Sequence, residues 1–122
     1  MGIHMGHIYL DVEFFSAKKP GIRVPVRALV DTGATYSVIP ANIVKKLELE
    51  NLGYVEVKTA SGSEKLQETE VKVKAFNRER VTCLFVSEKV DTPLIGVVTL
   101  EILRLKIDPT TGKAEELPLL LY

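Results

Sequence analysis

The first part of the chain alternates apolar and polar residues with a period of two, which is typical of a strand with one buried face. A turn containing lysine and proline follows over residues 16–21, and a second apolar segment, 22–30, ends at Asp31. These segments predict a β-hairpin whose second strand carries Asp31 at its end. The positions expected to face inward on the first strand are Ile8, Leu10, Val12 and Phe14, and those expected to face outward are Tyr9, Asp11, Glu13 and Phe15.

The rest of the pattern predicts further short strands and two short helices. One helix is expected from Pro40 to about Leu47, because proline suits a first helical turn, and another over residues 97–103. Their expected buried positions are Ile43, Val44, Leu47, Leu100 and Leu103. The further expected strands are 36–39, 54–59, 65–76, 80–86, a short strand that ends at Gly96, 105–108 and 114–122, the last two forming a hairpin and tail.

Composition limits the classes of function. At 122 residues the chain is long enough for one domain with its own core and too short for two. Its net charge of zero gives no basic surplus for nucleic acid, and no apolar run approaches the roughly 20 residues of a membrane span. The amino terminus lacks a signal peptide, so a cytoplasmic location is expected. Residues 1–4 look like an expression remnant, which leaves 5–122 as a single domain.

The scarcity of cysteine and histidine restricts metal and nucleophile chemistry. Cys83 is the only cysteine and lies in an apolar strand, so a buried structural thiol is favoured over a catalytic nucleophile. A catalytic cysteine would need a histidine beside it. The two histidines, His4 and His7, lie near the amino terminus. Too few ligands remain for a metal site, and we expect neither a metal nor a cofactor.

Asp31 stands between two apolar segments, where an unpaired charge is unusual. In one interpretation, Asp31, Thr32 and Gly33 form an ordinary turn between strands. In the other, the turn presents the carboxylate to a cleft, Thr32 offers a hydroxyl, and Gly33 lets backbone or substrate approach closely. A motif of three residues does not decide between them.

A second motif gives the first its context. The chain carries VDTGA at residues 30–34 and PLIG at residues 93–96. This pair resembles the retropepsin-like aspartic proteases, which include retroviral proteases and single-domain cellular relatives. The resemblance implies an all-β fold, namely a small, closed, β-barrel-like acid protease fold with one or two short helices, a flap hairpin and a homodimeric assembly.

The resemblance also implies roles for particular residues. Asp31 would be the catalytic residue. The loop at 60–64, which by itself is an ordinary hairpin tip, would belong to the flap that closes over substrate. The active-site support residues would be Thr32, Gly33 and Ala34, the flap and substrate-binding residues Ser61, Gly62 and Ser63, and the second-motif packing residues Leu94, Ile95 and Gly96.

Aspartic proteolysis needs two carboxylates that share one proton, and this chain has one Asp-Thr-Gly. None of the other aspartates, Asp11, Asp91 and Asp108, precedes Thr-Gly. A homodimer in which each subunit contributes Asp31 on the two-fold axis would supply the pair. The family implies that Thr32 hydrogen-bonds across this axis and that the backbone of Gly33 contacts substrate.

Two features bear on the form of such a dimer. Retroviral proteases carry an acidic and a basic residue where this chain has Thr35 and Val97, so a different dimer contact is expected. The apolar segment 117–122 could pair within its own chain or in a dimer sheet, and the cost of exposing it favours neither. Retroviral proteases interleave their termini, which favours the dimer sheet.

The sequence thus predicts an aspartic endopeptidase that hydrolyses peptides or proteins with water activated between two Asp31 carboxylates. The alternative is a non-catalytic module that keeps the retropepsin fold and binds extended peptides by strand addition. A third, a small-molecule binding protein with the hairpin as its lid, has no specific ligand-recognising groups in the sequence to support it.

Overall fold

The computed structural model describes residues 7–118. Its elements, in chain order, are β1 (Ile8–Ser16), β2 (Lys19–Val30), β3 (Val38–Pro40), α1 (Ala41–Leu47), β4 (Tyr54–Thr59), β5 (Gly62–Ala75), β6 (Arg78–Ser87), β7 (Leu94–Ile95), α2 (Val97–Ile102), β8 (Leu105–Asp108) and β9 (Lys113–Glu116). The predicted expression remnant, 1–4, and the last part of the predicted tail, 119–122, lie outside the described residues.

One sheet contains seven of the strands, in the order β1-β2-β7-β3-β6-β5-β4. β1 also pairs with β5, so six strands form a closed ring and β4 extends from it in a hairpin with β5. The length of β5 permits this, because its first half pairs with β4 and its second half with β6 and β1. The predicted all-β fold with a closed sheet and short helices is confirmed.

The core fills the inside of this ring, because burial of apolar side chains is the main force that favours folding. Alternate residues of the strands point into it, and Phe14, Ile39, Val73 and Ile95 are fully buried. All five predicted inward-facing helix positions are buried, which are Ile43, Val44, Leu47, Leu100 and Leu103. Within residues 7–118, neither helix has the length and apolar character needed to cross a membrane.

Several strand limits differ from the predicted ones. β2 begins at Lys19, β5 at Gly62 and β6 at Arg78, because each hairpin turn uses only two residues. Pairing there continues through polar residues that the hydrophobic pattern assigns to loops, since strands pair through backbone groups. β3, by contrast, starts two residues later than predicted, at Val38, because Tyr36 lies in the bend that follows Asp31.

Phe15 was predicted to face outward and is instead buried, with 1% of its surface exposed. The guanidinium carbon of Arg23 lies 4.0 Å from the centroid of its ring, and the Lys72 ammonium lies 5.7 Å from it. The long side chains of these two residues cover the ring while their charged ends stay near water.

The prediction of a buried thiol at Cys83 is wrong, because Cys83 is exposed. Thr82 and Leu84 take the inward positions of β6, and strand alternation turns the residue between them outward. Neighbouring atoms still desolvate the thiol, and this effect and the carboxylates of Glu68 and Glu70 raise the pKa of Cys83. A raised pKa leaves little thiolate at neutral pH, which disfavours Cys83 as a catalytic nucleophile.

The carboxyl-terminal hairpin forms a small sheet of its own from β8 and β9. The guanidinium of Arg78 donates hydrogen bonds to the carbonyl oxygens of Leu103 and Leu117, at 3.0 and 2.8 Å. The backbone N–H of Leu117 donates to the carbonyl oxygen of Arg104 at 2.8 Å. The tail therefore begins packed on its own chain, and a dimer sheet formed by its last residues stays a prediction.

Candidate active site

Asp31 follows the last residue of β2 in a tight turn, and it is exposed. The backbone N–H of Ala34 closes the turn by donating to the Asp31 carbonyl oxygen at 3.1 Å. The N–H of Gly33 donates to the carboxylate oxygen Oδ1 at 2.9 Å, which orients the side chain. Thr32 and Gly33 are exposed beside it. An oriented carboxylate at a strand end, open to a ligand, suits binding or chemistry better than packing.

The two sequence motifs lie side by side because β2 pairs in parallel with β7. Leu29 lies opposite Leu94, and Val30 lies opposite Ile95. The backbone N–H of Asp31 donates to the Ile95 carbonyl oxygen at 3.0 Å, which continues the pairing into the turn. The position of Asp31 is therefore set by a strand that lies more than sixty residues further along the chain.

Gly96 allows the second motif to pack closely against the segment that follows Asp31. A Cβ atom at this position would lie 2.5 Å from the carbonyl oxygen of Tyr36 and 2.8 Å from that of Ala34. The next two N–H groups, of Val97 and Val98, donate to the carbonyl oxygens of Ala34 and Thr35 at 2.9 and 3.0 Å. Backbone hydrogen bonds therefore join the two segments at Thr35 and Val97.

A buried cluster of hydroxyl groups supports this junction. Ser37 Oγ accepts a hydrogen bond from the N–H of Gly96 at 3.0 Å and lies 2.6 Å from Thr99 Oγ1, which lies 3.3 Å from Thr82 Oγ1. The residues Ser37, Thr82 and Thr99 are each at most 3% exposed. Polar groups at this depth are tolerated because they satisfy one another.

Sequence reasoning missed this hydroxyl cluster. A usable signal was present, because Ser37 and Thr82 each lie inside an apolar segment, where a hydroxyl needs a partner. The sequence does not show that the partner of both is Thr99, which belongs to the helix after the second motif. The cluster therefore links three parts of the chain that a local pattern treats separately.

Replacement of Ser37 by alanine is expected to destabilise the protein by about 1–3 kcal/mol, because the buried N–H of Gly96 loses its acceptor. Urea unfolding measures the effect. The matched control is Ser16→Ala, since Ser16 Oγ also accepts a backbone N–H, from Lys18, but at an exposed site. We expect the control to change the free energy of unfolding by less than about 0.5 kcal/mol. Equal effects of the two replacements would contradict the role given to the cluster.

The predicted flap residues lie at the tip of the β4–β5 hairpin. Ser61 is in the two-residue turn, and Gly62 and Ser63 begin β5. Gly62 has a φ of 136°, a conformation that glycine adopts without a steric penalty. Thr59 Oγ1 donates to the Gly62 carbonyl oxygen at 3.2 Å. Among the described residues, the tip forms its hydrogen bonds within this hairpin, and its role as a flap stays a prediction.

Possible metal ligands are scattered in the part of the chain that the structure describes. No three side chains of His, Cys, Asp or Glu between residues 7 and 118 come together in a way that could hold a metal ion.

Comparison with solved structures gives the same fold. The EIAV protease complexed with the inhibitor HBY-793 is 18% identical to this chain, with a TM-score of 0.60, over 83% of this chain and 91% of that one. The simian foamy virus (mac) protease is 18% identical, with a TM-score of 0.58, over 76% of this chain and 91% of that one. A retropepsin-like aspartic protease from Rickettsia conorii is 21% identical, with a TM-score of 0.59, over 87% of this chain and 79% of that one.

Comparison by sequence identifies the family. No curated protein sequence matches the chain. The profile of a family described as "gag-polyprotein putative aspartyl protease" matches residues 22–101, which contain both motifs. Since this match spans more than half of the 122 residues, the chain belongs to that family of gag-polyprotein aspartyl proteases, and its fold is retropepsin-like.

Proposed function

We propose that this protein is an aspartic endopeptidase in which two copies of the chain each contribute Asp31 to one catalytic pair. The observation that carries the proposal is the position of Asp31. Its backbone N–H donates a hydrogen bond to the Ile95 carbonyl oxygen, and its carboxylate is exposed and oriented by the Gly33 N–H. The sequence contains one Asp-Thr-Gly, at Asp31, so the second carboxylate of the pair comes from another subunit.

The reaction follows from the pairing of two carboxyl groups. At close range they share one proton, because two like charges so near each other do not both ionise. The ionised carboxylate takes a proton from a water molecule, which attacks the scissile carbonyl carbon, while the protonated carboxyl donates a hydrogen bond to the carbonyl oxygen. The hydrogen bond from the Gly33 N–H supports this role, since it fixes the carboxylate before substrate binds.

Neighbouring residues have supporting roles in this proposal. The exposed hydroxyl of Thr32 hydrogen-bonds across the two-fold axis, and the backbone of Gly33 contacts the substrate backbone. The hairpin tip at Ser61, Gly62 and Ser63 closes over the bound peptide and excludes water. The likeness to proteases, one of them complexed with an inhibitor, supports a peptide or protein substrate.

A subunit-mixing experiment tests the shared site. A large excess of the Asp31→Asn variant is expected to suppress the peptidase activity of the wild type, because subunit exchange produces heterodimers with one carboxylate. Cleavage of a peptide library between acidic and neutral pH reports activity, and native mass spectrometry reports the exchange. The matched control is an equal excess of Asp91→Asn, which changes an exposed aspartate that precedes Thr-Pro. Since this variant keeps both Asp31 carboxylates, its excess should not suppress activity, and the activity of the mixture should rise with the total concentration of dimer.

Unchanged wild-type activity in a mixture shown to exchange subunits would contradict the shared pair. A protein that stays monomeric at working concentrations and binds library peptides without cutting them would favour the non-catalytic peptide-binding module.

A further inference from the structure

A concave surface lies on the outer side of β6, on the face opposite the core. We call it the outer groove, and it has a volume of about 300 Å³. The exposed and half-buried apolar residues of its lining are Tyr36, Val81, Cys83, Phe85, Val98 and Ile102. The ring of Tyr36, which is 57% exposed, meets that of Phe85 edge-on with 5.6 Å between centroids. An exposed aromatic side chain held in a fixed position is well suited to contact a ligand.

Two carboxylates border the outer groove. Glu68 lies opposite Phe85 in the β5–β6 pairing, and Glu70 lies opposite Cys83, so their side chains are on the face that carries the groove. None of the ion pairs among the described residues involves either glutamate. Lys72, the next residue on that face of β5, has its ammonium 5.7 Å from the ring centroid of Phe15. The border is therefore negatively charged and open to a cation.

The outer groove is close to the candidate active site along the chain. Tyr36 lies five residues after Asp31, and five residues span at most about 18 Å. An extended peptide advances about 3.3 Å per residue. A peptide whose scissile bond lies at Asp31 therefore reaches the groove within about six residues of that bond.

We propose that the outer groove binds a segment of the peptide substrate in which lysine or arginine alternates with aliphatic residues, within about six residues of the scissile bond. This inference rests on the proposed endopeptidase function and names a substrate class for it. The aliphatic side chains contact the apolar lining, and the cation faces Glu68 and Glu70, which prefer ammonium or guanidinium groups. A groove of about 300 Å³ is at the lower end of ligand clefts and accepts a few side chains, whereas a folded partner covers roughly 800 Å².

Cys83 provides a direct reporter for this surface, because it lines the groove and is the only cysteine in the chain. Alkylation by iodoacetamide therefore modifies one known position. Glu68 and Glu70 help to raise the pKa of the thiol, so their replacement by glutamine should speed alkylation of the free protein at fixed pH. That change verifies that both carboxylates act on the groove before any peptide is added.

The experiment uses the Asp31→Asn variant of the full chain, so that binding is measured without cleavage. Two fluorescent peptides are compared, identical except that one carries lysine and the other glutamate in the outer segment. We expect the lysine peptide to bind more tightly and to slow the alkylation of Cys83. Adding Glu68→Gln and Glu70→Gln should weaken its binding about fivefold, the effect of losing two exposed ion pairs, and should remove the protection.

The matched control replaces Asp11 by Asn and Glu13 by Gln. These two residues have the same spacing on β1 and line a different depression, which also contains Arg27 and Lys74. We expect the control to bind the lysine peptide as tightly as its Asp31→Asn parent. A loss of affinity equal to that of the glutamate pair would mean that net charge alone attracts the peptide, and it would overturn the proposal.

Two further outcomes would also overturn it. One is equal affinity for the lysine and glutamate peptides. The other is protection of Cys83 that rises with protein concentration in the absence of peptide, which would assign the groove to contact between copies of the chain. Because these readouts need no catalysis, groove binding by a wild-type protein without peptidase activity would count against the endopeptidase proposal alone.

Discussion

Replacement of Asp31 by asparagine is expected to abolish peptide hydrolysis while leaving the fold intact. Asparagine cannot take up or release the proton that the reaction requires, and a positioned acid–base group contributes about 10²- to 10⁴-fold to a rate. The replacement removes the carboxylate from both subunits, so the upper part of that range applies. The side chain keeps an oxygen at the same position, which still accepts the hydrogen bond that the Gly33 N–H donates at 2.9 Å.

Steady-state cleavage of a library-derived peptide measures the loss of activity, and urea unfolding measures the fold. We expect the free energy of unfolding to change by less than about 0.5 kcal/mol, as for other surface replacements. Asp91→Asn is the matched control and should keep wild-type activity and stability, since this exposed aspartate lies outside the Asp-Thr-Gly turn. Peptidase activity retained by the Asp31→Asn variant would rule out Asp31 as the catalytic residue.

Replacement of Gly96 by alanine is expected to destabilise the protein by about 3 kcal/mol or more, at the upper end of the cost of overpacking. The added Cβ would lie 2.5 Å from the Tyr36 carbonyl oxygen and 2.8 Å from that of Ala34, and neither backbone atom can rotate away. The segment after Asp31 would have to move, which would break the 2.9 Å hydrogen bond from the Val97 N–H to Ala34. Peptidase activity should fall with stability, because the same segment positions the carboxylate.

Urea unfolding with a constant slope measures this effect as a shift of the midpoint. Gly21→Ala is the matched control, because a Cβ at Gly21 meets no atom within 4 Å. We expect that replacement to change the free energy of unfolding by less than about 0.5 kcal/mol. If Gly96→Ala were as stable and as active as the control, the close approach of the two motifs would not be needed for the site.

The two replacements separate chemistry from architecture. Asp31→Asn removes a proton-transfer group and keeps the hydrogen bonds that hold it, whereas Gly96→Ala keeps the group and disturbs its support. A native protein is stable by only about 5–15 kcal/mol. A cost of 3 kcal/mol at Gly96 is therefore a large share of the total and should be visible in unfolding before activity is assayed.

Much of the fold could be predicted from the sequence because the signals were local. The alternation of Leu10, Val12 and Phe14 marked a strand with one buried face, and the spacing of Ile43, Val44 and Leu47 marked the buried side of α1. The strand limits were harder to predict. Lys19 and Gly62 are the first residues of β2 and β5, because backbone pairing extends beyond the apolar residues.

The side chains that were assigned to the wrong face show where the hydrophobic pattern fails. Phe15 is apolar and buried, but it lies on the outer face of β1 and is covered by the long side chains of Arg23 and Lys72. Cys83 lies in an apolar strand and is exposed, because the register of β6 turns Thr82 inward. Burial depends on what lies opposite a residue as well as on its own hydrophobicity.

The sequence by itself determined the kind of protein, since VDTGA and PLIG in this order resemble the motifs of retropepsin-like aspartic proteases, and the alternating segments around them agree with an all-β fold. Only the tertiary structure decided how the motifs meet. The Asp31 N–H donates a hydrogen bond to the Ile95 carbonyl oxygen, Gly96 packs against the backbone of Tyr36, and the hydroxyl groups of Ser37 and Thr99 are hydrogen-bonded. The reason is physical. A motif consists of neighbouring residues, whereas the position of Asp31 depends on pairing between strands that are distant in the chain. The packing of the whole core selects that pairing.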